Sequence, residues 1–232
     1  MTTEPIVALD CSTLGEALTT VRTLEGLCRF YKIGSELFTA AGPAAMTAIR
    51  DVGADVFLDL KLHDIPNTVR AAVRAAASHG ARLLTVHGSG GRAMLEAAVE
   101  GAGSQQSCGV IAVTVLTSFT AGSLGSAWGR TVADLTDEVT RLAAVAADAG
   151  AHGVVCSGEE ARAVHARYGQ RLALVVPGIR LAGGATHDQA RVVTPAVARD
   201  AGARYIVVGR AVTAAADPRR AMAAVLEDLG KA

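Results

Sequence analysis

The stretch DVGADVFLDLKLHD, residues 51–64, contains the features that decide the fold. A helical pattern ends at Gly53, and glycine readily adopts the left-handed conformation that closes a helix. An apolar run begins at Val56 and continues with little interruption, which is typical of a strand covered on both faces. The stretch therefore predicts a helix, a glycine turn and a buried strand, in that order.

A similar pattern recurs in SHGARLLTVH, DAGAHGVVC and DAGARYIVVG, where a glycine again separates a helical pattern from an apolar run. About eight such runs alternate with helical patterns, and eight βα units in a chain of this length are typical of a (β/α)8 TIM barrel. We therefore predict an α/β protein with one domain over residues 1–232, a closed barrel rather than an open doubly wound sheet. Residues 118–130, with their Gly, Ser and Ala, are interpreted as one long loop and a candidate lid.

Composition limits the classes of partner. The chain of 232 residues has 22 basic and 22 acidic side chains and only eight aromatic residues, so neither nucleic acid nor a polybasic membrane contact is expected. Its apolar runs are too short to span a bilayer, and its start lacks the pattern of a signal peptide, which predicts a cytoplasmic location. Four widely spaced cysteines indicate neither a disulfide framework nor a zinc site. Small molecules and copies of the same chain are the expected partners.

The strongest chemical signal is the pair Asp59 and Lys61. Side chains alternate along a strand, so both charges should face the barrel axis while the neighbouring leucines face the helices. The pair could be a structural ion pair that closes the barrel. Two observations favour a functional role: the chain has only three lysines among its 22 basic residues, and one of the others, Lys32, also lies inside an apolar strand. With Asp64, these charges could keep a lysine protonated beside an anionic substrate.

Three phrases resemble the orotidine 5′-phosphate decarboxylase family: FLDLKLHDIPNTV (residues 57–69), VPGIR (residues 176–180) and VGRA (residues 208–211). Their order and spacing cover almost the whole chain. The resemblance implies decarboxylation of orotidine 5′-phosphate to UMP and carbon dioxide, the last step of de novo UMP biosynthesis, without a cofactor or metal. It also implies a homodimer.

The resemblance assigns a role to each matching position. Lys61 is implied as the proton donor to C6 of the pyrimidine and Asp59 as the carboxylate beside the substrate carboxylate. Lys32 is implied to link Asp59 to the ribose, and Asp10 to lie at the sugar. The remaining implied positions are Asp64, Ile65 and Thr68 in the neighbouring subunit's site, Thr117 at the pyrimidine, and Arg180, Gln189, Gly209 and Arg210 at the phosphate. His187 departs from the family pattern, which often has an acidic residue there.

The phosphate assignment also has a physical basis, because loops seven and eight of such barrels often bind phosphate and arginine binds it bidentately. Arg210 could instead only close the rim. A rival anion site is the glycine-rich HGSGG, residues 87–91, but it lacks an obvious basic partner. His87 is interpreted as a core histidine rather than a catalytic base, and His63 as structural.

Two other functions stay open at this point. One is a metal-dependent decarboxylase or lyase of the same superfamily, against which Lys32 and residues 65–68 argue. The other is an inactive scaffold or sensor of phosphorylated ligands, whose signature would be the loss of Lys61 or Asp59.

Overall fold

The structure, a computed structural model, describes residues 2–103, 108–181 and 192–230. Eight parallel strands follow one another around a closed barrel in chain order, and the last pairs with the first. This architecture confirms the predicted (β/α)8 barrel. That residues 1–232 form one domain stays a prediction. The strands are β1 (Glu4–Leu9), β2 (Phe30–Gly34), β3 (Asp55–Leu62), β4 (Ala81–His87), β5 (Gly109–Val113), β6 (Gly153–Val155), β7 (Ala173–Val176) and β8 (Tyr205–Val208).

Helices connect the strands and cover the outside of the barrel, and a 3₁₀ helix (Gly88–Gly90) follows β4. The helices are α1 (Leu14–Thr23), α2 (Ser35–Ala41), α3 (Pro43–Asp51), α4 (Pro66–Ser78), α5 (Gly91–Ala102), α6 (Ala121–Trp128), α7 (Leu135–Asp148), α8 (Gly158–Tyr168), α9 (Pro195–Asp200), α10 (Arg210–Thr213) and α11 (Pro218–Asp228).

The glycine turns between helix and strand have the predicted backbone conformation. Gly53, Gly80, Gly150 and Gly202 all have positive φ, between 76° and 94°. A side chain with a Cβ rarely adopts these angles, so glycine ends each helix and redirects the chain into the next strand.

Side chains alternate along the strands between two buried clusters. In β3, Leu58 packs outward against the helices while Phe57 packs inward. In β4, Leu84 likewise packs outward and Leu83 packs inward. The barrel interior is filled by the apolar residues Ile6, Ala8, Phe30, Phe57, Leu83, Ile111, Val175, Tyr205 and Val207.

An arginine closes the amino-terminal end of the barrel. Arg82, near the start of β4, binds both carboxylate oxygens of Glu4 at 2.9 and 2.8 Å and one oxygen of Asp55 at 2.9 Å. Its guanidinium also lies 4.5 Å from the centroid of the Phe30 ring. These contacts tie β1, β3 and β4 together at the end opposite the strands' carboxyl termini.

The interpretation of residues 118–130 as one long loop is wrong, because helix α6 occupies most of the segment. Thr120 and Ser123 form a capping box at its start, and Gly129 ends it in the left-handed conformation with φ 63°. Because the segment is rich in Gly and Ser, these signals for the start and the end of a helix were not recognised in the sequence. The role of the segment as a lid stays a prediction.

Within the described ranges, no helix is both long enough and apolar enough to cross a bilayer. The four cysteines all fall in those ranges and are free thiols.

Candidate active site

A cavity of about 440 Å³ opens at the carboxyl end of the barrel. Its walls come from the ends of seven of the strands and from the loops that follow them. In (β/α)8 barrels this end carries the active site. The predicted site residues that line the cavity are Asp10, Lys32, Asp59, Lys61, Thr117, Arg180, Gly209 and Arg210.

Four charged side chains of alternating sign form a row across one wall of the cavity. Lys32 Nζ lies 2.9 Å from Asp10 Oδ1 and 3.7 Å from Asp59 Oδ2. Asp59 Oδ1 in turn lies 2.9 Å from Lys61 Nζ. Each lysine therefore faces a carboxylate, which satisfies groups that would be costly to bury alone.

Burial differs along this row. The side chains of Lys32 and Asp59 are only 11% and 13% exposed, whereas Lys61 is 38% exposed and Asp10 is 59% exposed. Lys32 and Asp59 thus form the buried centre, and Lys61 keeps contact with the space where a ligand would enter.

Asp59 stays ionised despite its burial. Burial alone would raise the pKa of its carboxyl group, but the charges of Lys32 and Lys61, with hydrogen bonds from Lys61 and Thr85, prevail and lower that pKa. An ionised Asp59 keeps a negative charge in the cavity and holds the two ammonium groups beside it.

Lys61 reaches the cavity through an irregular backbone rather than by simple alternation. The pairing of β3 with β4 passes from Leu58 opposite Leu84 to Leu62 opposite Val86, so β3 is bulged between them. Lys61 has φ 50° and is the only described residue other than glycine with positive φ. Such strained conformations cluster at functional sites.

Sequence reasoning missed two residues beside this row. The hydroxyl of Thr85 accepts a hydrogen bond from the Lys61 amide at 2.8 Å and donates one to Asp59 Oδ1 at 2.9 Å. A Cβ placed on Gly34 would lie 2.9 Å from Lys32 Nζ, so the glycine leaves room for the ammonium group. Thr85 is two residues from Leu83 in β4, so alternation along the strand predicts that it also faces the barrel interior, and this could have identified it. Gly34 offers no sequence signal beyond its position at the end of a strand.

Two arginines, Arg180 after β7 and Arg210 after β8, form an arginine wall of the same cavity. Arg180 is buried, and its Nη1 donates to the Ile179 carbonyl at 2.8 Å. Burial and the positive charge of Arg210 lower the pKa of Arg180. Gly209 lies between β8 and Arg210 and lines the same wall. Two cations that share a cavity repel each other, and a bound anion would relieve that repulsion.

Three predicted site residues do not join this cavity. Asp64, Ile65 and Thr68 follow β3, are exposed, and lie outside the cavity lining. Ile65 is 67% exposed, the highest value among the exposed large hydrophobic side chains of the described ranges. Gln189 and His187 fall outside the described residues.

The two histidines beside β3 and β4 contact each other instead of the cavity. The rings of His63 and His87 have centroids 5.2 Å apart with an interplanar angle of 39°. His87 is half-buried, and burial, His63 and Lys61 together lower its pKa despite the opposing charge of Asp59. Neither ring lines the cavity. That His87 is a core histidine rather than a catalytic base stays a prediction.

The glycine-rich segment after β4 does have basic neighbours, contrary to the sequence interpretation. Arg130 and Arg141 line a shallow pocket together with Gly88, Ser89 and Gly91. Both arginines contact Glu138, at 2.7 and 2.9 Å. They are about forty and fifty positions away in the sequence, so only the fold reveals the proximity.

Comparison with known proteins identifies the family. Residues 3–225 match the model of the "Orotidine 5'-phosphate decarboxylase / HUMPS family". The chain is 50% identical over 222 residues to a protein of Anaeromyxobacter sp. (strain K) named orotidine 5'-phosphate decarboxylase, with 96% of each chain covered. A protein of the same name from Paramagnetospirillum magneticum is 45% identical over 231 residues, with 97% of each chain covered.

A solved structure gives the same result. The crystal structure of orotidine 5'-phosphate decarboxylase from Lactobacillus acidophilus superposes with a TM-score of 0.85 at 34% identity, covering 98% of this chain and 99% of that one. The chain therefore belongs to the orotidine 5'-phosphate decarboxylase / HUMPS family.

Proposed function

We propose that this protein decarboxylates orotidine 5′-phosphate to UMP and carbon dioxide, the last step of de novo UMP biosynthesis, in the cytoplasm. The observation that carries the proposal is the row Asp10, Lys32, Asp59 and Lys61 at the carboxyl end of the barrel. Family membership and the close relatives that bear this name support it.

Lys61 acts as the proton donor. When the bond between C6 and the carboxylate carbon breaks, its electron pair stays on C6, where no adjacent carbonyl can accept it. A fixed cation beside C6 stabilises this charge, and the ammonium then transfers a proton so that a C6–H bond forms. The resulting neutral amine takes a new proton from solvent, which its 38% exposed side chain can reach after product leaves.

The other members of the row hold and orient Lys61 and the substrate. Asp59, placed against the substrate carboxylate, holds the Lys61 ammonium in the cavity through the 2.9 Å contact. Lys32 lies between Asp59 and Asp10. Lys32 and Asp10 contact the ribose hydroxyls. Since Lys32 and Asp59 are largely buried, their positions are set before substrate binds.

The arginine wall binds the 5′-phosphate. Arg180 and Arg210 provide charge for a dianion, and Gly209 lets the backbone approach the phosphate oxygens. Gln189 completes this group, and Thr117 contacts the pyrimidine. Phosphate binding far from C6 supplies free energy that can be used at the reacting carbon.

The active form is proposed to be a homodimer with shared sites. Asp64, Ile65 and Thr68 are exposed, lie outside this chain's cavity and follow the strand that carries Lys61. In the proposed dimer they enter the site of the second copy. Covering the apolar Ile65 would favour that association.

The metal-dependent lyase is the competing activity within the family. In the described ranges, no group of three or more His, Cys, Asp and Glu side chains is arranged to hold a metal ion. The carboxylates of Asp10 and Asp59 instead accept hydrogen bonds from Lys32 and Lys61. This donor set does not fit a divalent cation, so no step of the proposed reaction uses one.

The test is the loss of orotidylate absorbance when purified protein is dialysed against a chelator and mixed with substrate. We expect full activity in chelator and UMP as the product. Activity that returns only with Mg²⁺ or Zn²⁺ would favour the lyase, and no turnover would favour the inactive scaffold.

A further inference from the structure

We infer that Thr85 is a positioning residue for the decarboxylation, because its hydroxyl joins the backbone of Lys61 to the carboxylate of Asp59. The inference rests on the roles proposed above for those two residues. Thr85 lies on β4, one strand away from both partners, and its side chain is fully buried.

The direction of each hydrogen bond is fixed by chemistry. The Lys61 amide can only donate, so the Thr85 Oγ1 atom, 2.8 Å away, accepts. The ionised carboxylate of Asp59 can only accept, so the same hydroxyl donates its proton to Oδ1 at 2.9 Å. The hydroxyl is thereby held in one orientation.

These bonds close a ring that contains both ends of Lys61. The Asp59 oxygen that accepts from Thr85 also accepts from Lys61 Nζ at 2.9 Å. The ring therefore runs from the Lys61 amide through Thr85 and Asp59 to the Lys61 ammonium. Movement of the lysine backbone would disturb the partner of its own ammonium group.

The conformation of Lys61 explains why such a support is needed. Its φ of 50° is unfavourable for a residue with a Cβ, and β3 has lost regular pairing with β4 between Leu58 and Leu62. In the bulge, the Thr85 side chain gives the Lys61 amide the acceptor that a regular strand would supply from its backbone.

Removing the hydroxyl should impair turnover more than binding. We expect Thr85→Val to lower kcat by about 10- to 100-fold, since a displacement of about 1 Å has effects of that order, while KM changes less than about threefold. Thr85→Ser keeps the hydroxyl and should stay within about threefold of the wild-type kcat.

The matched control is Thr3→Val at the other end of the barrel. The Thr3 hydroxyl is also buried and donates to the Ala203 carbonyl at 2.8 Å, but it contacts none of the charged row. Its kcat should equal that of the wild type. If Thr85→Val fails to fold, the pair Thr85→Ser and Thr85→Ala, which differ only by the hydroxyl, decides the question in the same way.

A crystal structure of Thr85→Val, or of Thr85→Ala in its place, separates this inference from the proposed function. We expect Lys61 to leave the left-handed region or its Nζ to move away from Asp59. An unchanged Lys61, or a kcat within about twofold of the wild type in the variant without the hydroxyl, would overturn the positioning role. If Lys61→Ala retained full activity, the proposed role of the lysine would fail, whatever the variant structure showed about its position.

Discussion

Lys61 Nζ and Asp59 Oδ1 lie 2.9 Å apart although only one residue separates them in β3. A regular strand would place their Cβ atoms on the same face but nearly 7 Å apart along the strand. The bulge and the left-handed Lys61 backbone accompany the contact. The lysine with this strained backbone is the residue that we propose as the proton donor to C6.

Replacing Lys61 by alanine should remove turnover but leave binding. Because the ammonium acts mainly in the transition state, we expect kcat to fall by roughly 10³-fold or more. The dissociation constant for UMP, measured by calorimetry, should change by less than about tenfold. Comparable losses in UMP affinity and kcat would indicate that Lys61 serves binding instead.

Replacing Arg210 by alanine should affect the phosphorylated substrate selectively. We expect KM for orotidine 5′-phosphate to rise by about 10- to 100-fold, since a charged hydrogen-bonded contact is lost. Turnover of orotidine, which has no phosphate, should change little. Steady-state kinetics on both compounds measures the difference, and equal losses on both would refute the phosphate role.

The lowered pKa of Asp59 predicts a dependence of stability on pH. A carboxyl group whose folded pKa lies below its unfolded value, near 3.8, stabilises the fold above that value and loses this contribution as pH falls through the folded pKa. In thermal unfolding followed by circular dichroism, the wild-type Tm should therefore fall more steeply below about pH 4 than the Tm of Asp59→Asn. Parallel curves for the two proteins would contradict the assigned ionisation.

Arg82, at the amino-terminal end of the barrel, should contribute to the stability of the fold and not to turnover. Arg82→Met removes the contacts with Glu4 and Asp55, which are partly exposed, so we expect a loss of about 1–2 kcal/mol and a Tm lower by a few degrees. The exposed pair of Arg92 with Glu96 offers a control, and Arg92→Met should leave Tm nearly unchanged. A large fall in kcat at a temperature where Arg82→Met is folded would show that this end of the barrel influences the site.

Local patterns predicted the barrel and most of the charged row. Glycine turns and apolar runs indicated the strands, and alternation indicated that Asp59 and Lys61 share a face. The bulge was not predictable, because it depends on the register between β3 and β4 and on Thr85 across that pairing. The arginines near the glycine-rich segment were missed for the same reason. Helix α6 was missed because small residues carry weak periodicity.

The last prediction concerns the shared site. If Asp64 acts in the neighbouring subunit, a dimer of one Lys61→Ala chain and one Asp64→Asn chain has one doubly altered site and one site with both native groups. With random exchange, about half of the dimers are mixed and each has one good site of two, so activity should recover to roughly a quarter of wild type. Mixtures of differently tagged chains, with exchange verified by mass spectrometry, measure the recovery. Should Asp64 serve its own subunit, every site keeps one lesion, and an exchanged mixture without activity would rule out the shared site while leaving the decarboxylase proposal intact.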